Sequence, residues 1–483
     1  MRVSIRAAFT LLAAALLGSV AALASPPGDG PGHHHGGPHR HGPPPGAVAP
    51  WDADPFPADY RPLPRRDVLI VHATVLDGAG ARIDDGSVLL AGGKVAAIGT
   101  HLAAPAGVEV IDAKGRWVTP GLIDVHTHDG TYVLPRTTID DDSSDVSELS
   151  DPNAADTWVE TAINPQDTAF LRALEGGVTT LQVLPGSSAI FGGRSVILRP
   201  IVRPTVAEMR FPEAPRGLKI ACGENPKGTD AALHRGPTSR QGEVAFIRDA
   251  LHRAQAYEAG WHRYLAGHAD EAPADDGKMD TLVGLLHGRI AAQVHCYRAD
   301  DMATMIALAH EFGFRIAAFH HAVEAYKIAP LLAREHICAV VWPDWWGYKM
   351  EALDAIRENA AFVDAAGGCA TMHSDGPDFG ERLALDAAKA MAAGTRAGIT
   401  IPPERAIAWL TANPAKVLGI EAHTGTLAPG LAGDLVLWSG NPFSVYTRAD
   451  SVWIDGGLAF DRADPRFHPQ TDFELGRPGV APR

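Results

Sequence analysis

The chain has few cysteines and no excess of positive charge. Its 483 residues include four cysteines, at positions 222, 296, 338 and 369. They are too few and too scattered for a disulfide framework, and each lies in an apolar strand-like segment, so we expect buried free thiols. The formal net charge of −15 argues against a protein that binds nucleic acid through its phosphates. With 46% hydrophobic residues, the chain can instead form a substantial core.

A long apolar run occurs at the N-terminus, and no other stretch resembles a membrane span. Two arginines precede the apolar stretch from Ala7 to Ala21, and Ala22-Leu23-Ala24 follows as a small-x-small cleavage motif. We predict a signal peptide over residues 1–24 and a periplasmic or secreted mature protein that begins near Ser25. The alternative is an N-terminal membrane anchor, for which the apolar stretch is short.

The outer parts of the mature chain are predicted to form a linker, a composite domain and a tail. Residues 25–65 open with a Pro-, Gly- and His-rich stretch that cannot bury a core, which is typical of a linker. Short β segments divided by Asp-Gly and Gly-Gly turns occupy residues 66–118 and return at 424–462. Since each group is small, we predict that the two pair into one β-sandwich. Residues 463–483 remain as a C-terminal tail.

The central residues 119–423 alternate apolar strand-like segments with amphipathic helical segments. After the opening strand, which ends at Val125, the predicted strands are Gly177–Val183, Leu218–Cys222, Arg289–His295, Phe314–His320, Ile337–Trp342 and Cys369–His373. The eighth is Ser195–Leu198, unless that stretch is a hairpin. This alternation and number predict a closed (β/α)₈ TIM barrel. The alternative is an open doubly wound sheet, although no Gly-rich dinucleotide fingerprint follows the first strand.

Histidines and one aspartate occupy the predicted strand ends. His126 and His128 close the opening strand, and alternation directs both side chains to one face. His295 and His320 end two later strands, and Asp375 follows the last one. Because the active sites of barrels lie at the C-terminal strand ends, these side chains should converge. Imidazoles and a carboxylate are ligands that zinc accepts, so the sequence predicts a divalent-metal site.

His321 competes with His320 for one of these positions, because adjacent residues on a strand face opposite ways. The alternation of the strand favours His320.

The segment Val118-Thr-Pro-Gly-Leu-Ile-Asp-Val-His-Thr-His128 resembles the first barrel strand of the amidohydrolase superfamily. Leu184–Ser188, Gly223–Lys227 and Thr411–Lys416 resemble its imidazolonepropionase-like branch. The resemblance spans about residues 66–462. It implies a barrel with a β-sandwich built from both chain ends, and a site for one or two divalent metal ions, with zinc preferred, held by the histidines and Asp375.

A two-metal site would also need a bridging anion, and two residues qualify. Lys219 lies midway along an apolar strand and would bridge after carboxylation to a carbamate. Glu224 already carries a carboxylate and lies just past the strand end. We prefer Lys219, because an unmodified and unpaired lysine is costly inside an apolar strand.

The predicted activity is hydrolysis of a non-peptide C–N bond, including one within a ring, in a small-molecule substrate. The metal would activate a water, and Asp375 would carry its proton to the leaving nitrogen. Arg298 and Lys349 are candidates for binding a polar substrate, and the loop Trp342–Tyr348 offers apolar walls. The alternatives are a dipeptidase that cleaves Xaa-Pro and a noncatalytic binding protein on the same scaffold. The sequence leaves the substrate, the number of metal ions and assembly into a homo-oligomer open.

Overall fold

The structure is a computed structural model that describes Pro43 and residues 46–467. The predicted signal peptide, most of the predicted linker up to residue 45 and residues 468–483 of the predicted tail lie outside the described residues. Within the described part, no helix is both long and apolar enough to cross a membrane.

The described part contains seventeen strands and eleven α-helices, together with short 3₁₀ turns. The strands are β1 (Val68–Leu76), β2 (Arg82–Ala91), β3 (Lys94–Thr100), β4 (Glu109–Asp112), β5 (Trp117–Pro120), β6 (Leu122–Thr127), β7 (Val178–Val183), β8 (Phe191–Arg194), β9 (Val196–Leu198), β10 (Arg216–Ala221), β11 (Ile290–Cys296), β12 (Ile316–His321), β13 (Cys338–Val341), β14 (Cys369–Met372), β15 (Leu435–Trp438), β16 (Ala449–Ile454) and β17 (Gly457–Asp461). The helices are α1 (Thr138–Ser143), α2 (Ala169–Glu175), α3 (Glu224–Ala232), α4 (Arg240–Leu265), α5 (Gly277–Leu286), α6 (Ala299–Phe312), α7 (Ala329–Arg334), α8 (Asn359–Ala365), α9 (Leu383–Arg396), α10 (Pro403–Ala406) and α11 (Ala412–Leu418).

Strands from both ends of the chain share one eight-stranded sheet, called the composite sheet below. Its order is β17-β16-β15-β5-β1-β2-β3, and β4 also pairs with β1. Gly92 and Gly93, both with positive φ, form the two-residue turn between β2 and β3, as expected for a tight hairpin. β5 joins the two groups, because it pairs in parallel with β1 and antiparallel with β15. The pairing therefore gives one sheet, and a β-sandwich is not shown.

The central part contains the predicted parallel strands, arranged in two sheets. One has the order β14-β13-β12-β11-β10-β8 and the other β6-β7-β9. Pairing is parallel from β10 to β14 and between β6 and β7. β8 pairs antiparallel with β10, and β9 pairs antiparallel with β7. Ser195–Leu198 therefore does not supply an eighth parallel strand. The central strands thus form two hydrogen-bonded sheets of a mixed α/β fold, and a closed eight-stranded ring is not confirmed.

Helix α6 shows how the helices set the strand ends. Its buried residues include Met302, Met305, Ile306 and Ala309, at the spacing that faces one side of a helix. Gly313 ends the helix in the left-handed conformation, with φ of 77°. The chain then returns as β12 in parallel register with β11, with His295 beside His320 and Cys296 beside His321. The helix therefore brings two histidine-bearing strand ends side by side.

The prediction of free thiols is wrong, because the four cysteines form two disulfides. Cys338 and Cys369 are register partners on β13 and β14, with Cα atoms 4.5 Å apart. Cys222 follows β10 and is bonded to Cys296 at the end of β11, with a Cα separation of 5.3 Å. Each bond joins neighbouring parallel strands whose cysteines are 31 or 74 residues apart in sequence. Buried apolar surroundings, on which the prediction rested, suit a disulfide as well as a thiol.

Candidate metal centre

The two histidines at the end of β6 are buried and fixed by backbone groups. His128 Nδ1 lies 2.8 Å from the carbonyl oxygen of Leu184, which can only accept, so Nδ1 carries the proton. His128 Nε2 therefore keeps a free lone pair. Upstream, the buried carboxylate of Asp124 accepts from the backbone N–H groups of His126 and Ser374. This carboxylate ties the end of β6 to the segment that follows β14.

A chain of hydrogen bonds fixes the proton on His126. Gln293 donates its amide to the carbonyl oxygen of Val417 at 3.4 Å, and its Oε1 lies 2.7 Å from His320 Nε2. An amide oxygen accepts, so His320 Nε2 donates and its Nδ1 is left as an acceptor. That Nδ1 lies 3.0 Å from His126 Nδ1, which must then donate. His126 Nε2 is left with a lone pair that faces the centre.

Asp375 lies where three imidazoles converge. Its Oδ1 is 3.4 Å from His126 Nε2, 3.7 Å from His128 Nε2 and 3.9 Å from His321 Nε2. Its backbone N–H donates to the carbonyl oxygen of His126 at 2.9 Å. Ligand atoms of His126, His321 and Asp375 all lie within 4.8 Å of one another. The arrangement offers one oxygen and several nitrogen ligands to a common point.

The geometry favours His321 over His320 as the β12 residue of this centre. His321 has φ of 67° and Ala322 has φ of 36°, so the extended strand, and with it the simple alternation of faces, ends at His320. The ring of His321 turns toward Asp375, whereas both nitrogens of His320 are engaged by His126 and Gln293. His320 therefore orients a member of the centre from behind.

His295 and His373 complete the cluster. His295 Nδ1 lies 2.9 Å from Ser187 Oγ, and its ring centroid is 4.4 Å from that of His321. His373 stacks on His126 with centroids 5.1 Å apart. The sequence reasoning did not select His373 as a site residue. The signal was present, because Thr371, His373 and Asp375 alternate along one strand end.

Burial sets the charge state of the cluster. It lowers the pKa of His128 to about 3 and holds the pKa values of the other rings well below the usual range for imidazole. Burial also lowers the pKa of the Lys219 ammonium and raises the pKa of the Asp375 carboxyl. The imidazoles of the centre are thus neutral nitrogen donors around one carboxylate.

The unpartnered nitrogen atoms show that this donor set fits a divalent metal. Within the part of the chain that the structure describes, no hydrogen-bond partner is found for His295 Nε2, His321 Nδ1 or either ring nitrogen of His373. Buried polar atoms are nearly always paired, so four orphaned nitrogens in one cluster call for a partner outside the protein. A divalent cation that accepts imidazole and carboxylate ligands is such a partner.

The structure separates the two predicted bridging residues. Lys219 is fully buried on β10, with Nζ 3.3 Å from His126 Nε2 and 3.0 Å from the carbonyl oxygen of Pro185, to which it donates. Glu224 begins α3 and is joined to Glu351 instead. The Glu224 N–H donates to Glu351 Oε2, and the Glu351 N–H donates to Glu224 Oε1. Lys219 is thus the candidate that contacts the histidines.

The two predicted substrate-binding residues also differ. Lys349 donates to Asn225 Oδ1 at 2.6 Å and lies 5.8 Å and 5.6 Å from the ring centroids of Tyr297 and Tyr348. Arg298 instead holds Asp300 through two hydrogen bonds, and 42% of its side chain is exposed. The structure brings Lys349 toward the cluster and turns the guanidinium of Arg298 to a neighbouring carboxylate.

Aromatic rings lead from the cluster to the surface. Trp342 packs against both His321 and His373 with centroid distances of 4.4 Å. Trp345 follows at 4.9 Å from Trp342 and is 5.4 Å from Phe379. We call the residues Trp342, Trp345, Tyr348 and Phe379 the aromatic wall. It gives the centre one continuous apolar side.

Comparisons with known proteins identify a family and several similar chains. A model of the family described as "Amidohydrolase family" matches residues 351–465. The solved structure of an amidohydrolase from Thermotoga maritima MSB8 is 34% identical, with a TM-score of 0.74, over 82% of this chain and all of that one. Amidohydrolase tasK of Hapsidospora irregularis is 29% identical over 407 residues, which are 78% of this chain but 40% of tasK. An imidazolonepropionase of Mesorhizobium japonicum is 25% identical over 76% of this chain and 90% of its own length.

Proposed function

Because the chain belongs to the amidohydrolase superfamily, we propose that it is a metal-dependent hydrolase that cleaves a non-peptide C–N bond of a small molecule. The observation that carries the proposal is the convergence of Asp375 Oδ1 with the Nε2 atoms of His126, His128 and His321. The nitrogens of His295 and His373 that have no hydrogen-bond partner among the described residues also support it.

In this proposal His126, His128, His295, His321 and Asp375 would hold one or two divalent ions, with zinc preferred, and a carboxylated Lys219 would supply the further anionic ligand that a two-metal site needs. A bound divalent ion would polarise the scissile group and lower the pKa of a bound water to near neutral pH. The two central sheets would correspond to the barrel of the family. Support for the role of Lys219 comes from its burial and from its 3.3 Å approach to His126 Nε2.

Asp375 is the proposed proton carrier. Its side chain is 28% exposed, whereas the side chains of His126 and His321 are at most 3% exposed, so its carboxylate can reach both the centre and a substrate. Asp375 would accept a proton from the attacking water and deliver it to the leaving nitrogen.

We also propose that the protein is exported. The signal-like residues 1–24 support this proposal, and so do the two disulfides, because such bonds persist in oxidising compartments.

The test combines metal analysis with a substrate panel. Purified protein is stripped with a chelator, reloaded with zinc, manganese or cobalt, and assayed against N-acyl amino acids, cyclic imides, lactams and Xaa-Pro dipeptides. We expect turnover of a non-peptide amide to disappear with the metal and to return with it. The matched control, His310→Gln, changes an exposed histidine that contacts Glu335 and should behave like the parent. Undiminished turnover after complete metal removal would refute the proposal, and preferential cleavage of Xaa-Pro would favour the dipeptidase.

A further inference from the structure

Lys349 places a positive charge next to the metal centre, and among the described residues it has no carboxylate as its hydrogen-bond partner. Its ammonium donates to the neutral amide oxygen of Asn225. The ring of Tyr297 contacts both Lys349 and the cluster. Its centroid lies 5.8 Å from Lys349 Nζ and 4.6 Å from the ring centroid of His295. An ammonium has three donors, so Lys349 retains donors for a further acceptor.

The electrostatic setting of Lys349 favours an incoming anion. Burial lowers the pKa of the ammonium, which means that this site solvates the charge less well than water does. Neighbouring charges of Glu224 and Asp375 act in the opposite direction. In the proposed function Asp375 is engaged in the metal centre, and Glu224 already accepts from the backbone of Glu351. A substrate carboxylate would supply the missing charged partner.

The aromatic wall provides a second, different binding surface on the same side. Trp345 and Phe379 are half-buried, and 38% of Tyr348 is exposed. Beyond them lie two apolar side chains, Trp346 and Met350, that are 68% and 74% exposed. Lys349 sits in this same loop, between Tyr348 and Met350. The loop therefore presents one ammonium amid apolar and aromatic side chains at the edge of the histidine cluster.

We infer that the substrate class is an amphipathic N-acyl carboxylate, an inference that rests on the proposed C–N hydrolysis. The ammonium of Lys349 binds the carboxylate, and the aromatic wall binds a planar or apolar acyl group. The scissile C–N bond lies between these two groups and faces Asp375. Lys349 is in this sense a specificity-determining residue. A purely structural Lys349, held by Asn225 and two tyrosine rings, would show no preference for a charged ligand.

Matched ligands separate the two contributions. The probes are N-benzoylglycine, its neutral amide N-benzoylglycinamide, and N-acetylglycine, which lacks the aromatic group. Affinities are measured by calorimetry on metal-free protein and on zinc-loaded protein, because a carboxylate could otherwise bind the metal directly. We expect the affinity for N-benzoylglycine to exceed the affinity for either other probe by about 10-fold or more in both forms. A charge-assisted hydrogen bond and a stacked ring each contribute binding free energy of that size.

Substitutions assign each preference to its side chain. Lys349→Met should abolish the preference for the carboxylate over the amide, and Lys349→Arg should restore part of it. Trp345→Ala should reduce the preference for benzoyl over acetyl by about 10-fold. Lys94→Met, at an exposed lysine on the composite sheet, is the matched control and should leave both ratios unchanged. Circular dichroism and zinc content establish that each variant is folded and loaded.

The inference is overturned if the carboxylate preference persists in Lys349→Met, if it appears only in the zinc-loaded form, or if no probe is preferred. The proposed function is tested separately. Hydrolysis of neutral amides with no ligand preference would leave the proposed function standing without this substrate class. The expected binding ratios without hydrolysis of any amide in the panel would establish the ligand class and refute the hydrolase.

Discussion

Two regions of the molecule bury polar side chains, and they treat them in opposite ways. Where the composite sheet meets the central part, Arg199 is 2% exposed and donates to Asp434 at 2.7 Å and to Asp455 at 3.2 Å. Asp434 also accepts from Thr424, and Asp455 accepts from Tyr60. Both carboxylates that Arg199 contacts are thus paired within the protein, and only Arg199 Nε of this ion pair network lacks a partner among the described residues.

The metal centre does the reverse. It gathers at least six imidazoles and a lysine around one carboxylate, and several ring nitrogens lack a partner among the described residues. A network that is complete by itself stabilises a fold, whereas an incomplete one reserves atoms for a ligand. The difference gives a practical criterion: burial alone does not mark a functional site, but several unpartnered ring nitrogens gathered in one buried cluster do. The following predictions test it in order of decreasing effect.

Asp375→Asn should cause the largest loss, and it should be a loss of activity. The amide has nearly the same shape but cannot accept the proton, so we expect turnover to fall by about 10²–10⁴-fold or more while the protein stays folded. Turnover, zinc content and thermal unfolding are measured on one sample. Asp249→Asn, at an exposed carboxylate of α4, is the control. Near-normal turnover in Asp375→Asn would mean that another group carries the proton.

Arg199→Met should have the converse effect, on stability. The substitution leaves the buried Asp434 and the half-buried Asp455 without their cation, which we expect to lower the free energy of unfolding by about 3–5 kcal/mol. Chemical denaturation measures this loss, and zinc content per folded molecule should not change. Arg82→Met removes an exposed ion pair with Asp84 and should cost less than about 1 kcal/mol. An equal effect of the two substitutions would show that the junction does not depend on its paired charges.

Substitutions of the two adjacent histidines on β12 should separate a ligand from a residue that orients one. His321→Leu removes a proposed ligand and should weaken zinc binding most. His320→Leu removes the acceptor for His126 Nδ1 and should weaken it by about 10–100-fold, and His320→Gln should be milder because a side-chain acceptor remains. Competition with a chromogenic chelator measures the affinities. If His320→Leu is the more severe of the two leucine variants, our preference for His321 is wrong.

Glu243 is an intermediate case and should give the smallest effect. One of its oxygens accepts from the backbone N–H of Gly223 at 3.1 Å, and the other is unpartnered within residues 46–467. Burial raises its pKa from 4.5 to about 7. The folded protein therefore binds the extra proton, and stability should fall as pH rises between about 4.5 and 7.

Glu243→Gln should flatten this fall, by about 1–3 kcal/mol across the window, when free energies of unfolding are compared at successive pH values. An unchanged pH profile in the variant would show that Glu243 is not responsible for the dependence.

Local sequence pattern was sufficient where the chain stays extended. The alternation in β6 correctly placed His126 and His128 on one side, and the β/α alternation located the parallel strands within a few residues. Alternation gives no guide where the backbone leaves the extended conformation. The positive φ of His321 ends the alternation on which the preference for His320 relied.

Long-range register was the second limit. The pairing of Cys338 with Cys369 depends on how β13 aligns with β14, which no local pattern encodes. The antiparallel direction of β9 likewise depends on its pairing with β7. Lys349 and Arg298 both follow strand ends by a few residues, and only the packed structure shows that one turns toward the centre and the other toward Asp300.

The positions of the protons around His126 are set by a main-chain carbonyl of α11, which no side-chain substitution removes. The carbonyl oxygen of Val417 accepts from Gln293, and this fixes the direction of the hydrogen bonds through His320 to His126. A main-chain oxygen is present whatever the side chain at position 417, so evolution can vary that side chain without reversing their order. The constraint falls instead on Gln293 and His320, and on keeping the last turn of α11 helical. Relatives of this chain are therefore expected to vary at 417 among the apolar side chains that its buried position accepts, while retaining an amide and an imidazole at the other two positions.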